Sequence, residues 1–306
     1  MLFNRARIAS RSLFGSLRHQ LVARRDFTIA IDGPAASGKS STARAVAQEL
    51  GLGYIDSGSI YRCATLLALR NNIDINESAG DLAALINKAK VDIRVRPSTS
   101  RPAPNLGRLA VPEVQVLLDN EDVSKEIRAP EVNQLVAKVA SDRSIREAVL
   151  HIQRQLAESA ESISTNALSK NAEGVPGGVV MDGRDIGTTI FPNAELKIYL
   201  DASAMARAIR RWDEMNNQMK EANALQAAKG SSDSDSAPAA YPSVEKIARE
   251  LEARDYADIN REHSPLRIAK DAVVIDNTNL TFEQQVYTIT DLARERMGLA
   301  PKHGDL

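Results

Sequence analysis

Gly33-Pro34-Ala35-Ala36-Ser37-Gly38-Lys39-Ser40 decides the fold of this 306-residue chain. Its fixed positions follow G-x4-G-K-[ST], the spacing of a phosphate-binding loop. The flanks supply the context that motif needs. Phe27–Asp32 is a short apolar run suited to a buried parallel strand. From Ser41, the residues Ala43, Val46, Ala47 and Leu50 recur at helical spacing, and Gly51 marks the stop. Between strand and helix, glycines let the backbone curl until successive N–H groups point inwards around a polyphosphate. The helix start adds about half a positive charge there. Gly33, Pro34, Ala35, Ala36, Ser37, Gly38, Lys39, Ser40 and Ser41 are therefore the expected nucleotide-binding residues. Lys39 is placed to reach the β- and γ-phosphates, and the Ser40 hydroxyl to join a Mg²⁺ shell. This establishes nucleoside triphosphate binding; it does not separate a kinase from a GTPase or an ATPase.

Working outward, strand–turn–helix recurs. Gly53–Ile55 leads into Ile60–Arg70, Val179–Met181 into the Asp185 region, and Leu196–Leu200 into Ala204–Met215. Ala272–Ile275 precedes Thr281-x-x-Gln284, a capping box that opens the last helix. Such alternation predicts an α/β fold, a parallel sheet with helices on both faces. One stretch differs: Val91, Ile93 and Val95 alternate with Asp92, Arg94 and Arg96, and Val114–Leu118 runs through Asp119-Asn120 towards Val123. That pattern predicts a small antiparallel insert, at about 88–126. Helices over Pro130–Ala140 and Ile145–Leu156 follow it. Pro97–Gly107, Ser159–Gly178 and Ala227–Pro242 read as loops, because none carries an apolar face.

Composition narrows the partners. The chain is 43% apolar with a net charge of -1, so nothing global calls for a nucleic acid polymer or an anionic membrane. A lone cysteine, Cys63, forms no intrachain disulfide and fits a reducing compartment. No apolar run approaches the length of a membrane span. His19, His151, His263 and His303 lack metal-ligand spacing. Residues 1–25 stand apart: six arginines, several serines, and no Asp or Glu before Asp26. On a helix Leu13, Leu17 and Leu21 share one face. This reads as an organelle transit peptide, mitochondrial in the first instance, with a basic tail as the alternative. The remaining domain is expected over 26–300.

Further polar clusters separate a kinase from a switch. In Asp56-Ser57-Gly58-Ser59-Ile60-Tyr61-Arg62, a helix-opening turn puts Ser57 and free amides where a second anion can sit, with Arg62 one turn on. Taken alone, such a turn also reads as a plain helix cap. Asp182-Gly183-Arg184-Asp185 follows a buried strand, whose carboxyl end in this fold class faces the ligand crevice. Arg207, Arg210 and Arg211 fall at i, i+3 and i+4 with no adjacent acid, and Arg254, Asp258 and Arg261 at i, i+4 and i+7. Phosphoryl transfer needs several cations around the moving group. Trp212 reads as a packing residue.

Together these segments resemble the bacterial-type cytidylate kinases of the nucleoside monophosphate kinase family, from about Thr28 to about Arg296. The resemblance rests on IDGPAASGKS at 31–40, DSGSIYR at 56–62, LLDNEDVSKEIR at 117–128, DGRDIGT at 182–188 and RDYADINREHSPL at 254–266. It implies a P-loop NTPase-type fold, with the 91–123 insert beside the acceptor site and a lid at about 205–243. It implies ATP as donor, Mg²⁺ as its ion, and CMP or dCMP as acceptor, bound by a monomer. By the same resemblance, Arg62 and Arg184 would hold the acceptor's phosphate, Asp185 and Arg146 the cytosine edge, and Arg254, Asp258 and Arg261 the sugar and phosphates. Arg210 and Arg211 would close over ATP, beside Lys39, Arg184 and Asp185 as the catalytic set. Asp182 and Asp185 are both open candidates to assist the acceptor oxygen or a metal-bound water. Ala137 stands where the family usually has a base-contacting serine, which loosens cytosine selection. Asn120 replaces a usual glycine. Segments 159–177 and 215–242 read as insertions. Kinases for UMP, another nucleotide or a small alcohol such as shikimate remain alternatives, as does a nucleotide-binding switch.

Overall fold

Ile29, Ile31 and Val180 pack into one core and Ala30, Val179 and Met181 into another, so the strands carrying them are covered on both faces. The computed structural model describes residues 27–96, 109, 111–164, 175–228 and 242–304. Its strands are β1 Phe27–Asp32, β2 Gly53–Asp56, β3 Val91–Arg96, β4 Glu113–Leu118, β5 Glu121–Asp122, β6 Gly178–Gly183, β7 Leu196–Asp201 and β8 Val273–Asp276. Its helices are α1 Lys39–Leu50, α2 Ser57–Arg70, α3 Ala79–Ile86, α4 Pro130–Val139, α5 Arg143–Ser164, α6 Ala204–Ala228, α7 Val244–Asn260 and α8 Phe282–Arg296.

Five strands form one parallel sheet in the order β2-β6-β1-β7-β8. Helices α2 to α5 cover one face through Ile60, Leu82, Val139 and Val149. Helices α1 and α8 cover the other through Val46, Leu50, Val286 and Ile289. The Thr281/Gln284 capping box is formed in both directions. Register aligns the strand ends that matter: Asp32 lies opposite Gly183, and Asp56 opposite Asp182. One edge of the sheet thus presents the loop after β1, the turn after β2 and the turn after β6 together, as a doubly wound sheet requires of a ligand crevice.

The antiparallel insert is β3-β4-β5. Asp119 and Asn120 close its second hairpin with φ of 51° and 69°, the two left-handed residues that a primed two-residue turn demands. Asn120 therefore does the work expected of a glycine.

Several boundaries differ from the sequence reading. Helix α1 begins at Lys39 and α2 at Ser57, two and three residues earlier than periodicity indicated, because apolar spacing cannot see polar first turns. Helix α5 continues to Ser164, so the first part of the 159–177 segment is helical. Helix α6 likewise runs past Met215 to Ala228. Both extensions contain Ala and Glu, and the second also Gln and Met, good helix formers that need no apolar stripe. After Asp185 comes a π-helical turn, Ile186–Ile190, in place of an ordinary α-helix. The transit-peptide segment, the 97–107 loop and most of the 159–177 and 227–242 loops lie outside the described residues.

Candidate active site

Gly33 starts the phosphate-binding loop where no side chain fits: a Cβ would stand 2.1 Å from the Leu200 carbonyl oxygen. Gly38 caps α1 in the left-handed region at φ 85°, which turns the following amides inwards. Ala36, at φ 57°, also sits in the left-handed region, a conformation costing about 1–2 kcal/mol for a residue with a Cβ. Its neighbour is clamped from both sides. Asp255 Oδ1 accepts from the Ala35 N–H at 3.1 Å, and Arg207 Nη1 donates to the Ala35 carbonyl at 2.9 Å. The two clamp residues form a buried ion pair of 2.6 Å. Arg207 is therefore a structural tie and not one of three unneutralised cations. The helix spacing was right, but the acid that neutralises it comes from α7, beyond the reach of local sequence.

A cavity of about 560 Å³ opens beside this loop. Ala35, Ala36, Lys39 and Ser40 form one wall; Ser57 and Arg62 another; Asp182, Arg184 and Asp185 the floor; Arg254, Asp258 and Arg261 a further wall. Four segments far apart in sequence thus meet. Ser41 does not line the cavity; its hydroxyl accepts from Arg44. Gly33, Pro34, Ser37 and Gly38 stand behind the lining as the loop's frame.

Lys39 is buried, and its Nζ donates to the Pro34 carbonyl at 2.7 Å. Burial, then the charges of Arg184 and Arg254, hold its ammonium well below its ordinary pKa, while Asp182 and Asp258 oppose them. A buried cation among other cations is a site that an anion stabilises. Ser40 Oγ donates to Asp182 Oδ2 at 2.6 Å, and the Tyr54 hydroxyl to Oδ1 at 2.7 Å. Burial, then Asp56, pushes Asp182 up to about 6. Among the described residues no cluster of three His, Cys, Asp or Glu could hold a metal by itself. An ion that arrives on nucleotide phosphates needs only one or two protein oxygens, and the Ser40 hydroxyl with the Asp182 carboxylate is such a hard-oxygen pair. Of the two candidate carboxylates, Asp182 lies against Ser40 and Asp185 lies away from it.

Asp185 instead belongs to an arginine–carboxylate chain. Arg146 Nη2 meets Asp185 Oδ2 at 2.5 Å, and Arg261 Nη2 lies 3.6 Å from Oδ1. Arg261 Nη1 is 3.9 Å from Asp258, whose other oxygen accepts from Arg184 Nε at 2.8 Å. Arg146 also lies 5.5 Å from the Tyr61 ring centre, over its face. Arg62 is steered by Ile127 O at 3.0 Å and Asn133 Oδ1 at 2.6 Å. Arg254 has no hydrogen-bond or ion-pair partner among the described residues and opens into the cavity. Burial, followed by the charge of the neighbouring Arg184, depresses its pKa.

The two arginines expected to close over ATP part company. Arg211 lines the cavity and pairs with Glu214 at 3.1 Å. Arg210 turns away to Asn277, donating to its Oδ1 at 2.9 Å and its carbonyl at 2.7 Å. Asn277 in turn donates to Ser37 O at 2.8 Å, so Arg210 supports the loop through an intermediary. Trp212 packs with Ala35, Ala208 and Leu251.

A model of the cytidylate kinase family matches residues 29–295. The chain is a member of the cytidylate kinase family. It is 40% identical to the cytidylate kinase of Desulforamulus reducens, covering 85% of this chain and 94% of that one. It is 34% identical to the cytidylate kinase of Lactobacillus johnsonii, over 88% and 94%. It is 37% identical to that of Geobacillus kaustophilus, over 90% of this chain and the whole of the relative. Among solved structures, the crystal structure of TT1252 from Thermus thermophilus matches at 16% identity and a TM-score of 0.36, over 89% and 98% of the two chains. This kinase also uses residues to which the sequence assigned no role. Asp32 accepts from the N–H groups of Ile186 and Gly187 at 2.8 and 2.7 Å, tying the turn after Asp185 to the end of β1. Tyr54, Asn133, Gln153 and Asp255 are others. Asp32 and Asp255 fall inside motif segments, but the partners that give them their roles lie on other elements.

Proposed function

We propose that this kinase transfers the γ-phosphoryl group of ATP to CMP or dCMP, giving ADP and CDP or dCDP. The observation that carries the reading is one cavity with a phosphate-binding loop on one wall and Arg62, Arg184, Arg254 and Arg261 facing it. ATP takes the loop, its phosphates against the inward amides and Lys39. The acceptor's phosphate meets Ser57, Arg62 and Arg184. Asp185 presents a carboxylate on the cavity floor, suited to a pyrimidine's exocyclic amine, and Arg146, which does not itself line this cavity, holds it from behind. The sugar and the phosphates between them meet Arg254, Asp258 and Arg261, with Arg211 arriving from above. Arg210 acts on the donor side through Asn277.

Transfer is in-line. A phosphate acceptor already carries a nucleophilic oxygen at neutral pH, so no side chain needs to become covalently attached. Positioning and the guanidinium field do the work, as loose phosphoryl-transfer transition states require. Ser40 and Asp182 would hold Mg²⁺, which would supply positive charge against the donor's phosphates. A monomer is proposed as the working unit. The arginine-rich, acid-free start supports residence in an organelle, mitochondrion first, and a reporter carrying residues 1–26 tests that.

The decisive assay measures ADP formation from ATP with CMP, dCMP, UMP, AMP and shikimate in parallel. Turnover that depends on CMP or dCMP is expected. Turnover equal with every acceptor, or with none, overturns the reading.

A further inference from the structure

Gln153 is fully buried on α5, two turns beyond Arg146 and on the same helical face. Its Nε2 donates to Ser57 Oγ at 2.7 Å, while its Oε1 has no partner among the described residues. Around it α5 offers Ile145, Val149 and Ile152 to the core. Packing alone would be served better by another aliphatic residue, since a buried amide left partly unsatisfied is destabilising. Its one hydrogen bond among the described residues is to a serine that lines the cavity beside Gly58 and Arg62.

Ser57 has a specific need for such a partner. It is the first residue of α2, yet the helix cap is made by Asp56, whose carboxylate accepts from the Ser59 N–H at 3.0 Å and the Ser59 hydroxyl at 2.6 Å. The Ser57 hydroxyl is therefore free to rotate unless something fixes it. A phosphate oxygen only accepts, so the hydroxyl is useful when its single proton points into the cavity. An N–H from behind occupies a lone pair of Oγ and leaves that proton for the ligand. The reversed amide would present its carbonyl, take the proton away, and bury two unused N–H groups, which proteins tolerate less well than an unused carbonyl.

We propose that Gln153 is a positioning residue that sets the hydrogen-bond polarity of Ser57 towards the acceptor's phosphate. This rests on the reading of Ser57 as a ligand of that phosphate. Helix α5 then orients both ends of the acceptor site: Arg146 fixes Asp185, and Gln153, about 11 Å further along the axis, fixes Ser57.

Steady-state kinetics on Ser57→Ala, Gln153→Met, Gln153→Glu and the Ser57→Ala/Gln153→Met double variant test it, with KM for CMP and for ATP taken separately and a thermal melt for each. Gln153→Met keeps length and loses the donor, so KM for CMP is expected to rise about tenfold while KM for ATP moves less than about twofold. Gln153→Glu turns the polarity round and is expected to raise KM for CMP further than Met does. In the Ser57→Ala background, Gln153→Met is expected to add less than about twofold. Equal, additive effects with and without the serine, or a parallel rise in KM for ATP, reduce Gln153 to a packing residue and overturn the proposal. If Ser57→Ala raises KM for CMP and neither Gln153 variant does, the positioning role alone fails. If Ser57→Ala leaves KM for CMP untouched, the assignment of Ser57 fails first. Gln153→Leu replaces the Met variant should that one not fold.

Discussion

Replacing Asp255 by alanine should weaken this kinase in two separable ways. The carboxylate makes two buried contacts: 2.6 Å to Arg207 and 3.1 Å to the Ala35 N–H. The paired side chains are only 6% and 12% exposed, so the charge left on Arg207 has little water to turn to. Breaking a buried pair by removing one partner costs about 3–5 kcal/mol. At about 2–4 °C per kcal/mol for a domain of this size, the melting temperature should fall by about 6–20 °C. Arg207 keeps its bonds to Ala202 O and Ala35 O at 2.9 Å each, which favours the lower half of that range. The second effect is local. Without the clamp, Ala36 is freed to leave φ 57°, and the inward amides lose their aim, so the Kd for ATP should rise. The double variant Arg207→Met/Asp255→Leu separates the two. Removing both charges should recover at least half of the lost stability, and ATP affinity should stay poor because Ala35 remains unclamped. Differential scanning calorimetry and ATP titration calorimetry read the two quantities. A shift below about 2 °C for Asp255→Ala, or full recovery of ATP affinity in the double variant, refutes the reasoning.

Other expectations follow from the same geometry. Arg62→Ala removes a charged hydrogen-bond donor from the acceptor side, so KM for CMP should rise about 10–150-fold, the equivalent of about 1.5–3 kcal/mol, with KM for ATP nearly constant in initial-rate assays. Burial lifts Asp32 and Asp182 from 3.8 to about 6, so the folded protein holds protons between those values that the unfolded chain has released. Their contribution to stability is therefore fullest below about pH 4 and declines as pH rises through about 6, which urea titrations across that range can follow. Activity should run the other way, since the ionised Asp182 accepts from Ser40 and Tyr54: kcat/KM should fall as pH drops through about 6, and a flat profile there refutes the role. Ala137→Ser restores a hydroxyl on the cavity wall and should raise the preference for CMP over UMP by roughly tenfold in competition assays.

Much of the fold was legible before any coordinates. Phe27–Asp32, the Gly33–Ser40 loop and the α1 stripe announced one βα unit, and the others repeated its pattern closely enough to imply a parallel sheet. The π-helical turn after Asp185 was not legible, because the two N–H groups it turns out are held by Asp32, some 150 residues away in sequence. The early start of α2 was hidden for a related reason: its first turn is polar, and apolar periodicity is silent there.

What the sequence determined by itself was chemistry that depends on local spacing. Glycines where backbone must approach phosphate, Lys39 and Ser40 at fixed offsets from them, and Arg254 and Asp258 along one stripe need only a few bonded neighbours to be recognised, whereas Arg261 lies just past the end of α7 in extended conformation. What only the tertiary structure decided was how charges are shared. Arg207 was spaced like its two neighbours, yet Asp255 on another helix ties it to the loop. Arg210 serves the loop through Asn277, and Asp182 rather than Asp185 lies against Ser40. A side chain's partner is set by which strand ends the sheet aligns and which helices cross them, and those are sums over many distant contacts that no short window of sequence contains.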